Sequence, residues 1–494
     1  ASDLNSQSNY KSYRNLARCY AAMKMEKEAN INFKNSLKQT EHLFGLTNYE
    51  LALGCTYYAS FLSDINQKKE ALFYLNRALD ISNRIFGTKN RDIANTYIRL
   101  SFLEAEDKNF NISLGYIQQA IIALINNFDS TDPFTEIKSI PTTPDIYLMT
   151  AFGKKADLMY QLYEEKKDVK YLYSSLYNYQ LLSRVANTVR SNINSDESNF
   201  LVSAHSKNAF AGAFKTTFAL YRATGDKKYL LEGFRFAERS KSAVLLAELR
   251  DNDDKIHTDI DPKLRGDEKE LRNSIANYKK LIYEEQKKAR PSQQKLDLWR
   301  DKVFELEKKQ ELLAETIRQK YPEYYKIKYG DGTLEPSVIQ KSLKEETILE
   351  YALTDNVLYT FLLSKDTLLV NVDTATKELE SDVRAYVENI RSGPLSDPEG
   401  SFTTFTQLSY KLYTKLIKPF ESEIRTKKLV IIPDGILGYL PFETLIRKPS
   451  KGEMPDYANL DYLIKSFIPR YSYLATMLHT KLNEQKKPTR TLGA

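Results

Sequence analysis

A Phe–Gly pair at Phe44–Gly45 returns at Phe86–Gly87, and small residues recur on the same 42-residue ruler. Ala17, Ala59 and Ser101 are in register, as are Ala29, Ala71 and Ser113, and Ser36, Ala78 and Ala120. Within a unit the offsets hold too: Ala17, Tyr20, Ala29, Phe33 and Ser36 are followed by Ala59, Leu62, Ala71, Leu75 and Ala78. Small residues at two fixed places let two antiparallel helices approach closely, and the larger apolar residues between them fill the seam. A chain of this kind stacks helix pairs into an α-solenoid, each pair covering its neighbour's apolar face. The third unit departs from the pattern at Glu104, where an apolar residue is expected.

These spacings match the tetratricopeptide (TPR) pattern in a 42-residue form. With units placed from Tyr10, Ala52 and Ala94, the concave wall presents Lys11, Arg14, Arg18, Thr56, Ser60, Asn95 and Ile98. A peptide or partner helix could dock there; plain solvated surface is the competing reading. Arg14 and Arg18, one turn apart, suit an acidic ligand. Cys19 and Cys55, the only cysteines, both fall on first helices of repeat units and are expected as small buried hydrophobes.

The chain has 494 residues, enough for about three domains on the usual size prior. A net charge of +7 is small for this length and does not indicate a nucleic-acid partner. No apolar run approaches the roughly 18–20 residues a membrane helix needs, so no membrane partner is expected. The start, Ala1-Ser2-Asp3-Leu4, carries no signal-peptide core. Two cysteines without a disulfide framework favour a reducing cytoplasm, a secreted or periplasmic location remaining open if a signal peptide has been removed.

Helix pairs are expected over residues 1–128. Asp132, Pro133, Pro141 and Pro144 mark a break, and helical patterning resumes through 129–262 as further TPR-like pairs, the last running from Ala213 through the Thr224-Gly225-Asp226 turn to Leu249. Residues 251–266 form a charged loop whose Asp251, Asp253, Asp254, His257, Asp259 and Asp261 match neither an EF-hand nor a zinc spacing. Over 263–328, the stripes Leu271, Ile275, Tyr278, Ile282 and Trp299, Val303, Leu306, Leu313, Ile317 sit on charged helices separated near Pro291, the pattern of a coiled-coil hairpin. From 329 to 494 the period changes. Thr347–Ala352, Leu358–Ser364 and Thr367–Val372 are expected strands, two amphipathic helices follow, and Leu429-Val430-Ile431-Ile432 is a strand with no polar alternation. Such a strand is covered on both faces, which implies helices on both sides of a mainly parallel sheet.

The order of parts then resembles a known family. The quoted stretches are Ala237-Glu238-Arg239-Ser240-Lys241-Ser242, Leu349-Glu350-Tyr351, Leu412-Tyr413 with Leu416-Ile417-Lys418-Pro419, Ile431-Ile432-Pro433-Asp434-Gly435 with Tyr439-Leu440-Pro441-Phe442-Glu443, and Tyr462-Leu463-Ile464 onward to Tyr471-Ser472-Tyr473. Together with the helix pairs they resemble the CHAT family, the caspase-like domains associated with TPRs. That resemblance implies a cysteine peptidase clan in which a His polarises a Cys thiol and the thiolate attacks the scissile carbonyl. It also implies an α/β caspase-like domain, here incomplete, whose remainder is a partner of this segment.

The inventory limits what this stretch does by itself. Its His residues are His42, His205, His257 and His479, and no Cys follows Cys55, so a Cys–His dyad cannot be assembled from the α/β part. Thr491-Leu492-Gly493-Ala494 could open a further strand, and an N-terminal fragment of a larger peptidase is favoured over a truncated, inactive homologue. There is no Gly-x-Ser-x-Gly elbow, His-Glu-x-x-His or phosphate-binding loop, and no cofactor or metal is expected. Asp434 and Glu443 are expected as a turn residue and a helix anchor, a pair of functional carboxylates in a ligand-hosting loop after the strand being the competing reading. The expected function is a regulatory and sensor segment that gates proteolysis; the alternative is a non-catalytic scaffold for protein–protein interaction.

Overall fold

The 42-residue ruler is written into the backbone torsions. The computed structural model describes residues 9–141, 144–192, 196–250, 261–288, 292–321, 333–374, 376–450 and 455–478, with the backbone alone at 190–192, 196–208, 243–250 and 393–396. It opens with α1 (Asn9–Ala22), α2 (Glu26–Phe44), α3 (Tyr49–Asp64), α4 (Lys68–Phe86), α5 (Arg91–Glu106) and α6 (Phe110–Leu124). Each hairpin turns through a left-handed residue, Lys24, Asn66 or Lys108, with φ of 59°, 60° and 61°. Gly45 and Gly87 end α2 and α4 at φ 77° and 73°, a conformation that a Cβ would strain. Asn48 and Asn90 cap α3 and α5, each side chain accepting from the N–H two residues on, at 2.8 and 2.7 Å.

The small positions are where the paired helices meet. Ala17, Ala29, Ala59, Ala71 and Ala78 are wholly buried, and Phe33, Leu62 and Leu75 fill the seam between them. In the third hairpin the two small positions are Ser101 and Ser113, whose hydroxyls lie 2.7 Å apart. Serine at both sites is tolerated because each satisfies the other, and Ser113 also donates to the Ser101 carbonyl. Glu104 sits half-buried at the hairpin turn, where its carboxylate accepts from Asn109, so it leaves the seam intact. Cys55 is buried as expected, but Cys19 is exposed. Two residues past Ala17 is 200° around the helix, which carries Cys19 to the opposite face.

The chain divides into two compact units, Ala1–His205 with Asp254–Tyr329, and Ser206–Asp253 with Gly330–Ala494. The first continues with α7 (Ile146–Lys166), packed on α6, and α8 (Val169–Asn192), packed on α7. Further along the chain are α9 (Asp196–Thr224) and α10 (Lys228–Arg250). The first unit also contains an antiparallel hairpin, α11 (Pro262–Gln286) and α12 (Gln293–Lys320), whose Ile275, Val303, Leu306 and Ile317 form its buried seam. Residues 206–253, grouped by the sequence with the helix pairs of 129–262, belong instead to the second unit. The reason is packing: Phe214 and Phe234 lie against Phe361 at ring distances of 6.4 and 6.0 Å. Residues 251–260, 291, 322–332, 479 and 491–494, which carry the acidic loop with His257, the ends of the coiled-coil hairpin, His479 and the possible further strand, lie outside the described residues, as does the side chain of His205.

The second unit is built on a five-stranded sheet in the order β3-β2-β1-β4-β5, with β1 (Glu346–Leu353), β2 (Leu358–Leu363), β3 (Leu368–Asp373), β4 (Lys428–Ile432) and β5 (Ile468–Tyr471). The sheet is mixed, not mainly parallel. β4 runs parallel to both β1 and β5, while β1, β2 and β3 form an antiparallel meander. Short turns at Thr354–Val357 and Ser364–Thr367 close the two hairpins, and loops that short permit only antiparallel neighbours. Between α13 (Pro336–Ser342) and the chain end, α14 (Thr376–Ser396) and α15 (Pro398–Leu416) cover one face. There Leu349, Tyr351, Leu429 and Ile431 join Leu379, Val383, Tyr386, Leu412 and Tyr413 in one core. The opposite face, which includes Glu350 and Phe361, meets α10 and the end of α9. Both faces of β4 are buried, as its unbroken apolar run requires.

Candidate functional site

The seven candidate partner-binding residues occupy three columns of the repeat. Arg14, Thr56 and Ile98 form one column, Arg18 and Ser60 a second, Lys11 and Asn95 a third. The first column points inward. Ile98 is buried, Thr56 Oγ1 donates to the Ala52 carbonyl at 3.0 Å, and Arg14 is buried with Nη1 2.8 Å from Glu50 Oε2. Lys11 Nζ lies 3.7 Å from the same carboxylate. Glu50 thus holds the guanidinium that was to meet an acidic ligand.

In the second column Arg18 is exposed and Ser60 half-buried, and Lys11 of the third column is exposed too. Arg18 stacks 4.7 Å over the Tyr57 ring, Ser60 accepts from Arg99, and Phe102, in register with both, is exposed. Ser60, Arg99, Phe102, Leu75 and Leu103 line a cavity of about 180 Å³. Asn95 is half-buried beside this surface.

A feature the sequence did not reveal lies at the tip of α11. The Tyr283 hydroxyl sits 2.6 Å from the Tyr49 hydroxyl and donates to Asp92 Oδ2 at 3.0 Å, while its ring stacks on Phe86 at 6.1 Å. Lys287 lies over both tyrosine rings, at 4.9 and 4.7 Å. Burial raises the Asp92 carboxyl above its ordinary range and the Tyr283 phenol above its own. Glu50 and Asp92 are equivalent repeat positions, one holding Arg14 and the other the tip of α11. The visible signal was that shared acidic position, one residue into each helix.

The second unit contains a cluster drawn from two of the quoted motifs. Lys241 Nζ donates to Glu350 Oε1 at 2.8 Å, and Glu350 is wholly buried in the centre of β1. Glu238, one turn before Lys241, accepts from the Ala475 N–H, the Thr476 N–H and the Thr476 hydroxyl at 2.7, 2.8 and 2.6 Å. Burial pushes the Glu350 carboxyl up to about 8, with Lys241 opposing the rise and Glu238 adding to it. Among the described residues Glu350 Oε2 takes no donor, and the neighbouring Glu238 carboxyl adds to the rise. One helix is thereby bonded to the central strand and to the chain just past β5.

The other quoted motif residues make similar ties. Asp434 Oδ2 accepts from the Leu353 N–H at 2.7 Å, joining the ends of β4 and β1, and Gly435 follows at φ 54°. Glu443 does not anchor a helix: it lies in a 3₁₀ turn, Phe442–Thr444, and accepts from the Tyr471 hydroxyl at 2.5 Å. Tyr471 Oη in turn accepts from the Phe442 N–H at 2.9 Å.

No nucleophile stands out among these groups. Burial pushes the Cys55 thiol up to about 12, which leaves it protonated, and both cysteines belong to the helical repeats. His42 is exposed in the last turn of α2. Among the described residues no group of His, Cys, Asp and Glu is placed to hold a metal ion, and no helix is long and apolar enough to cross a membrane. No protein-family model matches the chain, and no curated protein matches it.

Proposed function

We propose that the chain is the regulatory segment and first sheet portion of a CHAT-type, caspase-like cysteine peptidase, in which TPR hairpins receive a peptide or protein signal and gate proteolysis. The observation that carries this reading is that the motif residues behind the resemblance make their bonds to one another or to positions two or three residues past a motif. Lys241 reaches Glu350, Glu238 reaches residues 475–476, Asp434 reaches Leu353 and Glu443 reaches Tyr471. Motifs scattered over more than two hundred positions thus serve one small sheet.

The free edge of that sheet adds support. Among the described residues no strand pairs with the outer side of β5, and Ile468 and Tyr471 on it are exposed. An edge strand with no described neighbour can template a further strand, Pro469 withholding one donor from that edge. In this reading the missing His and Cys stand on strands added beyond β5. The scaffold reading draws on the absence of any cysteine after Cys55.

One experiment separates the two. The full gene product is treated with a cysteine-directed peptidyl acyloxymethyl ketone and mapped by mass spectrometry. An adduct on a cysteine downstream of residue 494 is the expected outcome. Absence of any adduct, with the protein folded, would leave the scaffold.

A further inference from the structure

The second unit holds a cavity of about 410 Å³ with no role in the reading above. Its size falls in the range of roughly 300–1,000 Å³ typical of small-ligand sites. Ile390, Phe405, Tyr457, Tyr462 and Ile464 line it, and Glu443 stands among them as the one carboxylate. The rings are braced against each other, Phe405 meeting Tyr457 at 5.4 Å and Tyr462 at 6.4 Å, both edge to face. Ile390 and Ile464 at its rim are exposed.

Glu443 is held in place and is only half used. Tyr471 donates to its Oε2, while among the described residues none donates to Oε1 and no cation pairs with the group. Lys465, next to the cavity-lining Ile464, is committed elsewhere, donating to the Ala458 and Leu460 carbonyls at 3.1 and 2.8 Å. Arg447 is paired with Glu421 at 2.5 Å. An anchored carboxylate beside aromatic faces attracts a cation twice, by direct charge and through the ring quadrupoles. The apolar walls ask in addition for a hydrocarbon body.

We propose that this cavity binds an amphiphilic organic cation, an ammonium or guanidinium head on an apolar body, with the head at Glu443 and the body against Phe405, Tyr457 and Tyr462. Two sources share that chemistry: a peptide in which an apolar residue adjoins Lys or Arg, and a small free amine. The site does not depend on the peptidase reading.

The test is calorimetric titration of this chain with N-acetyl-phenylalanyl-lysine amide, its norleucine counterpart, which lacks the charge, and 4-phenylbutylamine. The lysine peptide or the amine is expected to bind at least tenfold tighter than the norleucine peptide, and the better of the two names the source. E443Q retains an acceptor for Tyr471 and is expected to weaken that ligand about tenfold. Ile464→Arg, a substitution at an exposed rim position, brings its own cation and is expected to abolish binding. Equal affinity for the uncharged peptide, no binding by either cation, or an unchanged affinity in E443Q with intact circular dichroism overturns the proposal.

Discussion

Ala71 and Glu350 are both wholly buried, one at a helix seam of the first unit and the other in the central strand of the second. Ala71 is there because nothing larger fits where two helices touch, and it carries no polar side-chain group to satisfy. Glu350 is there against the cost of desolvation, held by Lys241 on α10. The repeat hairpins therefore specify themselves by shape, each unit copying the last, whereas the sheet unit specifies one helix against one strand by charge. Shape repeats and leaves a period in the sequence; a single buried charge cluster does not. It can, however, fix a unique register.

The contrast breaks most sharply at Lys241. Lys241→Ala leaves two buried carboxyl groups, Glu238 and Glu350, facing each other's field without a counter-charge. With Glu350 protonated, the loss is that of a hydrogen-bond partner to a buried carboxyl, about 1–3 kcal/mol, and it is expected in the β1 amides by native-state hydrogen exchange. A loss below about 1 kcal/mol would mean that α10 is held by Phe234 packing and the Glu238 bonds to residues 475–476, with no contribution from the Lys241–Glu350 contact.

Titration sharpens the same point. Glu350 holds its proton up to about pH 8 in the folded chain, against an ordinary carboxylate range near 4.3 when unfolded. Between those values the folded state binds the extra proton. The stabilisation is thus complete below the unfolded value and is lost as pH rises through the folded one. Raising the pH from 6 to 8 is expected to remove about 2 kcal/mol from the sheet unit by chemical denaturation. E350Q, which cannot titrate, is expected to flatten that slope, while the hairpins should show no matching dependence. An identical slope in E350Q would assign the proton to another group.

How far each unit could be read from sequence follows from the same difference. The hairpin seams were legible to the residue because small side chains recur every 42 positions, and four strands were legible because β-branched and apolar runs sit between turns. β5 was not: it has four residues, three of them exposed, and a proline paired with Leu429. Proline at an edge is admissible but silences the strand signal. Glu238 and Lys241 look like solvated helix charges, since i and i+3 pairs are common on exposed faces; only the strand covering them makes them a core. Ile98 and Arg14 were placed on the concave wall by counting, but counting along a helix fixes the column and not which column the neighbouring hairpin covers. The Glu443 carboxylate was visible as a residue and illegible as a site, because its neighbours Ile390 and Phe405 come from different helices.

The smallest expected effect tests whether the hairpins are as uniform as their sequence. Asn48 and Asn90 make the same cap with nearly the same distances, so Asn48→Ala and Asn90→Ala should each cost about 1 kcal/mol. Equal costs, within about 0.5 kcal/mol by urea denaturation, would follow from repetition alone. The two sites nevertheless differ in what stands above them. The N–H that Asn90 holds belongs to Asp92, whose carboxylate accepts from Tyr283, whereas Asn48 caps Glu50, the partner of Arg14. Loss of the Asn90 cap loosens the turn that aims Asp92 at Tyr283 on α11. An excess cost in Asn90→Ala that vanishes when Tyr283→Phe is the background would show that the arm, and not the repeat, sets the stability of that hairpin.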